Sequence, residues 1–282
     1  MSKIQIPIAQ WYISHTCNLS CANCLSYNNF NISGHERWED NKDDVKRWGS
    51  LVTVDDFSII GGEPLGNPDL DLWVKGISKY FDSKQFKICT NGVQLDRWTD
   101  RILEWTELGA ILEIHTKDPK HLSTTWKVIY DIFGDNIVWS KGTEHHNIGK
   151  LNGKVVVYQS MDASFFTWGT KGKNDYGEYE LFETNPKHTH NLCPWSHCHY
   201  FYQGALWKCG TMVGAQEFVK KFPVKKEHKD IILDYKPIQI TAELEQDIKN
   251  LKYMLPQCGL CNNVLKTHNR LEATQKKIKE NV

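Results

Sequence analysis

The stretch HTCNLSCANC, residues 15–24, sets three cysteines in the spacing Cys17-x3-Cys21-x2-Cys24. A cuboidal 4Fe-4S cluster takes one cysteine thiolate per iron. Three thiolates therefore leave one iron open to a small molecule that brings its own hard donors, such as an amine and a carboxylate. Structural zinc usually takes paired C-x2-C knuckles with a second pair far along the chain, and a lone triplet spaced three and two fits that poorly. A second group follows: Cys193, Cys198 and Cys209, then Cys258-x2-Cys261. A zinc knuckle built from these cysteines, with His197 or His199 available, is one use of them. Cys89, the ninth cysteine, lies within an apolar run and reads as a buried apolar side chain.

Such groups need a frame. Apolar runs at 6–14, 55–64, 86–92 and 110–116 read as strands, and further strands are expected at 136–140 and 154–161. Between them, 70–81, 97–108 and 122–133 carry the spacing of helix faces, the last starting near a possible Ser123 cap. This alternation implies right-handed βαβ units and a parallel sheet, in which chemistry collects at the carboxyl ends of the strands. The cysteine triplet, GGEP (61–64) and TNG (90–92) each follow a strand end and are expected to converge. On the fourth strand Glu113 and His115 share one parity, opposite to Leu112 and Ile114. They are candidates for ribose or substrate contacts, or else a solvent-facing polar pair. Gln159 and Ser160 end a strand and are candidates to face the same site. Trp73, Trp98, Trp105 and Trp126 fall on helix faces and read as packing; Trp38 and Trp48 flank a charged stretch that reads as a solvated helix face. The histidine pairs 145/146 and 188/190 read as solvated loop residues.

Bulk properties narrow the partners. With 34 basic and 34 acidic side chains the formal net charge is zero, so no field draws in nucleic acid or anionic membrane. No apolar run approaches the roughly 20 residues of a membrane span, and the first residues lack a signal peptide's apolar stretch. A cytoplasmic protein is expected, in which clustered cysteines point to metal or redox chemistry rather than disulfides.

The triplet, GGEP one βα unit later and TNG closing the third strand together resemble the radical S-adenosylmethionine (SAM) enzymes. That resemblance implies an α/β fold with a partial (β/α)6 TIM-like barrel, a 4Fe-4S cluster on Cys17, Cys21 and Cys24, and SAM on its open iron. The amino group of the SAM methionine would fall to Gly61, Gly62, Glu63 and Pro64. Two glycines permit close backbone approach, and carbonyl and carboxylate acceptors suit an amine. Asn91 of TNG is a further cofactor contact, and Asn23 stands where the family often has an aromatic residue on the adenine. The second cysteine group resembles the twitch domain, the shorter relative of the SPASM domain, in which a small C-terminal β-hairpin plus helix holds an auxiliary 4Fe-4S cluster. YFYQGALWKCG supplies the hairpin, turning at Gln203-Gly204, and 241–255 the helix. Cys193, Cys209, Cys258 and Cys261 are the implied ligands, with Cys198 as a possible alternative to Cys193.

The resulting domains are a radical SAM partial barrel over 1–185 and a twitch-like module over 186–282. The arrangement resembles the 2-deoxy-scyllo-inosamine dehydrogenase type, which implies two-electron oxidation of a small polar substrate and a flavodoxin or ferredoxin as reductant. The rivals are a peptide-modifying maturase, for which the chain has no room for a leader-binding domain, and a non-catalytic iron-sulfur or zinc scaffold, which has no need of GGEP.

Overall fold

The period-two runs of Val, Ile and aromatic residues become strands. In this computed structural model the described residues are 2–21, 24–116, 121–143, 146–160, 164–166, 170–262 and 265–267. The chain divides into two units, Met1–Asn18 with Gly34–Ala163, and Leu19–Ser33 with Ser164–Val282. The first unit carries β1 (Ile4–Tyr12), α1 (Trp38–Leu51), β2 (Val52–Ile60), α2 (Leu70–Tyr80), β3 (Ser83–Thr90), α3 (Thr99–Glu107), β4 (Ala110–His115), α4 (Leu122–Phe133), β5 (Ile137–Thr143), β6 (His146–Leu151) and β7 (Lys154–Ser160). Its strands lie in the order β1-β2-β3-β4-β7-β6-β5. From β1 to β7 the neighbours are parallel, while β5, β6 and β7 form an antiparallel meander. The fold is thus mixed α/β with a largely parallel sheet and alternating helices, as the strand and helix alternation requires.

Strand boundaries move, most of all at the glycine-ended runs. The run 55–64 yields Val52–Ile60 and the run 86–92 yields Ser83–Thr90, because the glycines leave the ladder. Gly62 N–H turns to the Ser14 carbonyl at 2.6 Å, and Pro64 opens a short 3-10 turn.

One face of the sheet packs on helices. The Trp11 ring lies 5.8 Å from Trp73 of α2, and Phe57 stacks on Phe81 at 4.7 Å. All four side chains are buried, each worth roughly 1.5–3 kcal/mol. Gly76 of α2 lets the Trp38 ring approach where any Cβ would collide with it. The charged stretch between Trp38 and Trp48 is helix α1, with Val45 and Trp48 buried beneath its Asp and Lys residues. Asp69 caps that helix from a distance, accepting from Trp38 N–H at 3.1 Å and pairing with Arg37 at 2.8 Å.

The second unit has β8 (Ser164–Phe166), β9 (Gly172–Lys173), β10 (Tyr179–Glu180), α5 (Pro186–Leu192), β11 (Cys198–Tyr202), β12 (Ala205–Trp207), α6 (Gly210–Lys221), α7 (Lys226–Asp234), α8 (Leu244–Asn250) and β13 (Leu265–Thr267). The hairpin β11–β12 turns at Gln203 (φ 48°) and Gly204 (φ 72°), two left-handed positions that a tight hairpin requires. The helix that follows it differs from expectation. It is α6, buried along eight of its twelve residues, whereas 241–255 yields only Leu244–Asn250 as α-helix. Pro256 opens the next 3-10 turn and keeps its predecessor extended. Tyr27, Phe30, Tyr179, Phe218 and Phe222 form the aromatic core of this unit.

Candidate cofactor sites

In the first unit the carboxyl ends of β1, β2 and β3 meet through Glu63. Its side chain, 1% exposed, accepts from Leu65 N–H at 3.0 Å, Thr90 O–H at 2.6 Å and Asn91 N–H at 2.8 Å. Both carboxylate oxygens are therefore engaged in fastening GGEP to TNG. Glu63 N–H donates to the Thr16 carbonyl at 2.9 Å, and a Cβ on Gly61 would stand 2.6 Å from the Ser14 carbonyl oxygen. The glycines thus admit the close approach of the β1 extension that leads to Cys17. Asn91 completes the link: its amide donates to the Asn18 side chain at 2.8 Å and lies 3.9 Å from the Cys17 sulfur. Pro64 starts the 3-10 turn beside them. Asn23 lies outside the described residues.

Burial pushes the Glu63 carboxyl up to about 7, against the three hydrogen bonds. The native state then holds a proton between roughly pH 4.5 and 7 that the unfolded chain has lost, so this group's stabilisation is complete below pH 4.5 and fades as pH rises through 7. The difference in unfolding free energy between wild type and Glu63→Gln is expected to fall by up to about 3 kcal/mol across that window. Urea unfolding from pH 4 to 8 checks it, and a flat difference would remove Glu63 as a buried titrating group.

The sheet face turned away from the helices is polar. Lys87 bridges Asp56 at 2.7 Å and Glu113 at 3.1 Å, and His115 meets Glu113 at 3.0 Å. Burial alone would raise Glu113; His115 and Lys87 overcome it and hold the carboxyl down at about 2. Burial likewise works to lower Lys87, but Glu113 and Asp56 outweigh it and hold the ammonium above its ordinary range. Glu113 and His115 do share one face, as their parity predicts. Gln159 does not join them, because it stands opposite Ile114 while Ser160 stands opposite His115. The Gln159 amide oxygen instead accepts from Asn147 at 2.9 Å. A cavity of about 420 Å³ is lined by Gln85, Lys87, Glu113, Tyr158 and Ser160, within the roughly 300–1,000 Å³ of small-ligand pockets. Asp56 and Lys87 were not singled out in the sequence; their signal was the same odd-even alternation along β2 and β3. Cys89, half-buried rather than wholly so, has its thiol raised by burial and then by Glu113.

In the second unit five cysteines line one cavity, together with Leu25, His190 and Lys208. Cys193 follows α5, Cys198 opens β11, Cys209 caps α6, and Cys258 and Cys261 lie in and after the turn Pro256–Leu260. Burial pushes Cys209 up to about 12, with Cys258 and Cys193 adding to it. Cys261 is raised by burial and by Cys209, Cys258 and Cys193. The thiols that feel one another are thus Cys193, Cys209, Cys258 and Cys261. Neither His197 nor His199 lines the cavity; His199 is turned to the Lys208 carbonyl at 2.9 Å. Lys208 is buried, with its ammonium donating to the Ser196 carbonyl at 3.1 Å and to the Leu251 carbonyl.

This donor set suits a polynuclear iron-sulfur centre. The cavity measures about 70 Å³, where room for one water needs roughly 10–15 Å³. Among the described residues no three His, Cys, Asp or Glu side chains stand close enough to hold a single ion. Cysteines bind metal as thiolates, and the N-terminus of α6 adds its dipole at Cys209.

No family model matches the chain. The probable GTP 3',8-cyclase of Pyrobaculum aerophilum is 29% identical over 156 residues, which is 52% of this chain and 47% of the cyclase. The match thus spans about half of each. Among solved structures, BtrN in complex with AdoMet and 2-DOIA aligns over 98% of this chain and 100% of BtrN at 16% identity, with a TM-score of 0.49. Polyhistidine-tagged anSMEcpe with bound AdoMet aligns over 46% of this chain and 40% of its own at 21% identity, with a TM-score of 0.34. Three cysteines spaced three and two after β1, with the fastened GGEP and TNG turns beside Cys17 on a largely parallel α/β sheet, are the features in which this chain resembles the radical SAM enzymes.

Proposed function

We propose that the protein is a radical SAM oxidoreductase that removes two electrons and two protons from a small polar substrate, with residues 1–185 as the radical-generating part and 186–282 as an auxiliary 4Fe-4S module. A 4Fe-4S cluster would be held by Cys17, Cys21 and Cys24 and, together with SAM, would supply radical chemistry able to take hydrogen from a C–H bond. The chain's own work is placement. Glu63 and Asn91 hold the turns beside Cys17, and Gly61 and Gly62 bring backbone close enough to receive the methionine amine. Glu113 and His115, on the polar sheet face, are the groups suited to accept a substrate hydroxyl proton. Both lie among residues able to hydrogen-bond a hydroxyl-rich molecule.

The observation that supports the oxidative reading is the set of five cysteines lining one cavity, of which Cys193, Cys209, Cys258 and Cys261 would make a full ligand set with no iron left open. Such a centre is suited to accepting the second electron. A flavodoxin or ferredoxin is the matching reductant, and the cytoplasm the matching compartment; among the described residues no helix is long and apolar enough to cross a membrane.

The test is iron and acid-labile sulfide per chain after anaerobic reconstitution. About eight irons are expected, falling to about four in the Cys17, Cys21 and Cys24 triple alanine variant. About four falling to none, with zinc bound instead, would make the second centre structural and the chemistry redox-neutral.

A further inference from the structure

Lys208 stands between strand β12 and helix α6, directly before the cap residue Cys209. Its backbone is fixed on both sides: the N–H donates to the Tyr235 hydroxyl at 2.7 Å, and the carbonyl accepts from His199 Nδ1 at 2.9 Å. The side chain is fixed as well. Its ammonium donates to the Ser196 carbonyl at 3.1 Å and to the Leu251 carbonyl, and His190 Nε2 lies 3.4 Å from it. An ammonium has three N–H donors and no acceptor, so three partners occupy it fully. Lys208, Ser196 and His190 all line the cavity that Cys193, Cys209, Cys258 and Cys261 line. The nitrogen is therefore seated in the wall of the cysteine cavity, held there by two other residues of that wall.

This charge has no counterpart of its own kind. Lys208 is 3% exposed, and among the described residues no carboxylate pairs with its ammonium. Lys87 of β3, by contrast, lies between Asp56 and Glu113. Carbonyls and an imidazole offer dipoles rather than charge, and a cation taken out of water is costly unless an opposite charge offsets it. Cysteines that bind metal do so as thiolates, and four of them on an iron-sulfur core leave it with net negative charge.

We propose that Lys208 is the counter-charge of the auxiliary 4Fe-4S centre: its fixed ammonium offsets the negative charge of the centre on Cys193, Cys209, Cys258 and Cys261 and raises its reduction potential. This rests on reading that centre as an iron-sulfur cluster. Reduction adds one electron to the centre, so a cation held in the cavity wall favours the reduced form over the oxidised one. The electron is the second of the two that the substrate loses, released together with a proton after hydrogen abstraction. Lys208 acts through the centre and is a positioning residue, not a catalytic one.

The experiment is an EPR-monitored redox titration of the full chain after anaerobic reconstitution, with Lys208→Met, Lys208→Gln and Lys208→Arg beside wild type. Methionine keeps the stem and removes the charge, glutamine keeps an N–H donor without the charge, and arginine keeps the charge. In Lys208→Met and Lys208→Gln a tenfold loss in the stability of the reduced form is expected, an auxiliary potential about 59 mV lower for a one-electron couple, with the cluster on Cys17, Cys21 and Cys24 unmoved. Lys208→Arg is expected to stay near the wild-type potential. Loss of the auxiliary irons in both neutral variants but not in Lys208→Arg would also support the assignment, since occupancy then follows charge. Unmoved potentials in Lys208→Met at full iron content would overturn it, as would a wild-type potential in Lys208→Gln, or an equal shift or equal loss of iron in all three variants. Wild-type protein holding only about four irons would overturn the cluster reading first, and is told apart by the iron count alone.

Discussion

Cys258→Ala is expected to leave reductive cleavage of SAM running while substrate oxidation stops. The two cysteine groups lie on separate stretches of chain, and the turn that carries Cys258 is held by contacts that do not need its sulfur. Gln257 donates to the Ile231 carbonyl at 2.9 Å, and the Gly259 carbonyl accepts from Thr184 N–H at 2.8 Å. Alanine at 258 therefore removes a ligand and leaves the backbone in place. Release of 5'-deoxyadenosine should stay within about tenfold of wild type, a barrier change below roughly 1.4 kcal/mol, while oxidised product disappears. Cys17→Ala should abolish both. Paired measurement of 5'-deoxyadenosine and product checks this, and identical behaviour of the two variants would end the proposed division of labour between the cysteine groups.

The two cysteine groups were legible in the sequence because cysteines are discrete markers. Three cysteines at fixed spacing after an apolar run, and a C-x2-C pair after a helical stretch, keep their meaning without coordinates. The strands were legible for a similar reason, since β-branched alternation survives inspection while their ends do not: Gly61 belongs to the turn because of how closely Ser14 approaches it. Helix α6 was not legible. Its sequence GTMVGAQEFVKK has two glycines and no clean polar stripe, because it is buried nearly all round, and the charged 241–255 drew the assignment instead. Gln159 and Ser160 were named together, but neighbours in a strand take opposite faces, and only Ser160 stands opposite His115. Glu63 shows the opposite kind of gap. Its residue type says acceptor, but only the fold shows that Leu65, Thr90 and Asn91 already use both oxygens. Nothing in the residues around Tyr27 announces that 19–33 groups with 164–282; that follows from long-range packing on Phe218 and Gly214.

Lys87→Met tests whether the polar sheet face is built for a ligand or only for itself. Lys87 stands between Asp56 and Glu113 with its side chain 13% exposed, so removing it leaves two carboxylates facing each other without their shared cation. Breaking a fully buried pair costs about 3–5 kcal/mol; partial exposure of both acids screens this, and a loss of about 2 kcal/mol is expected. Glu113→Gln in the same chain should recover part of that loss, since one uncompensated charge disappears, and equilibrium unfolding of the four proteins gives the coupling directly. Lys87→Met alone also lifts the Glu113 carboxyl from about 2, leaving His115 as the group that still holds it down. A purely structural triad predicts lost stability with unchanged kinetics in whatever fraction stays folded. A triad that also meets a hydroxylated substrate predicts more: a raised KM in Lys87→Met, and an acid limb of the pH-rate profile that moves toward neutrality as Glu113 becomes easier to protonate. Stability and kinetics then separate the two roles, because only a group that touches the substrate can move the limb.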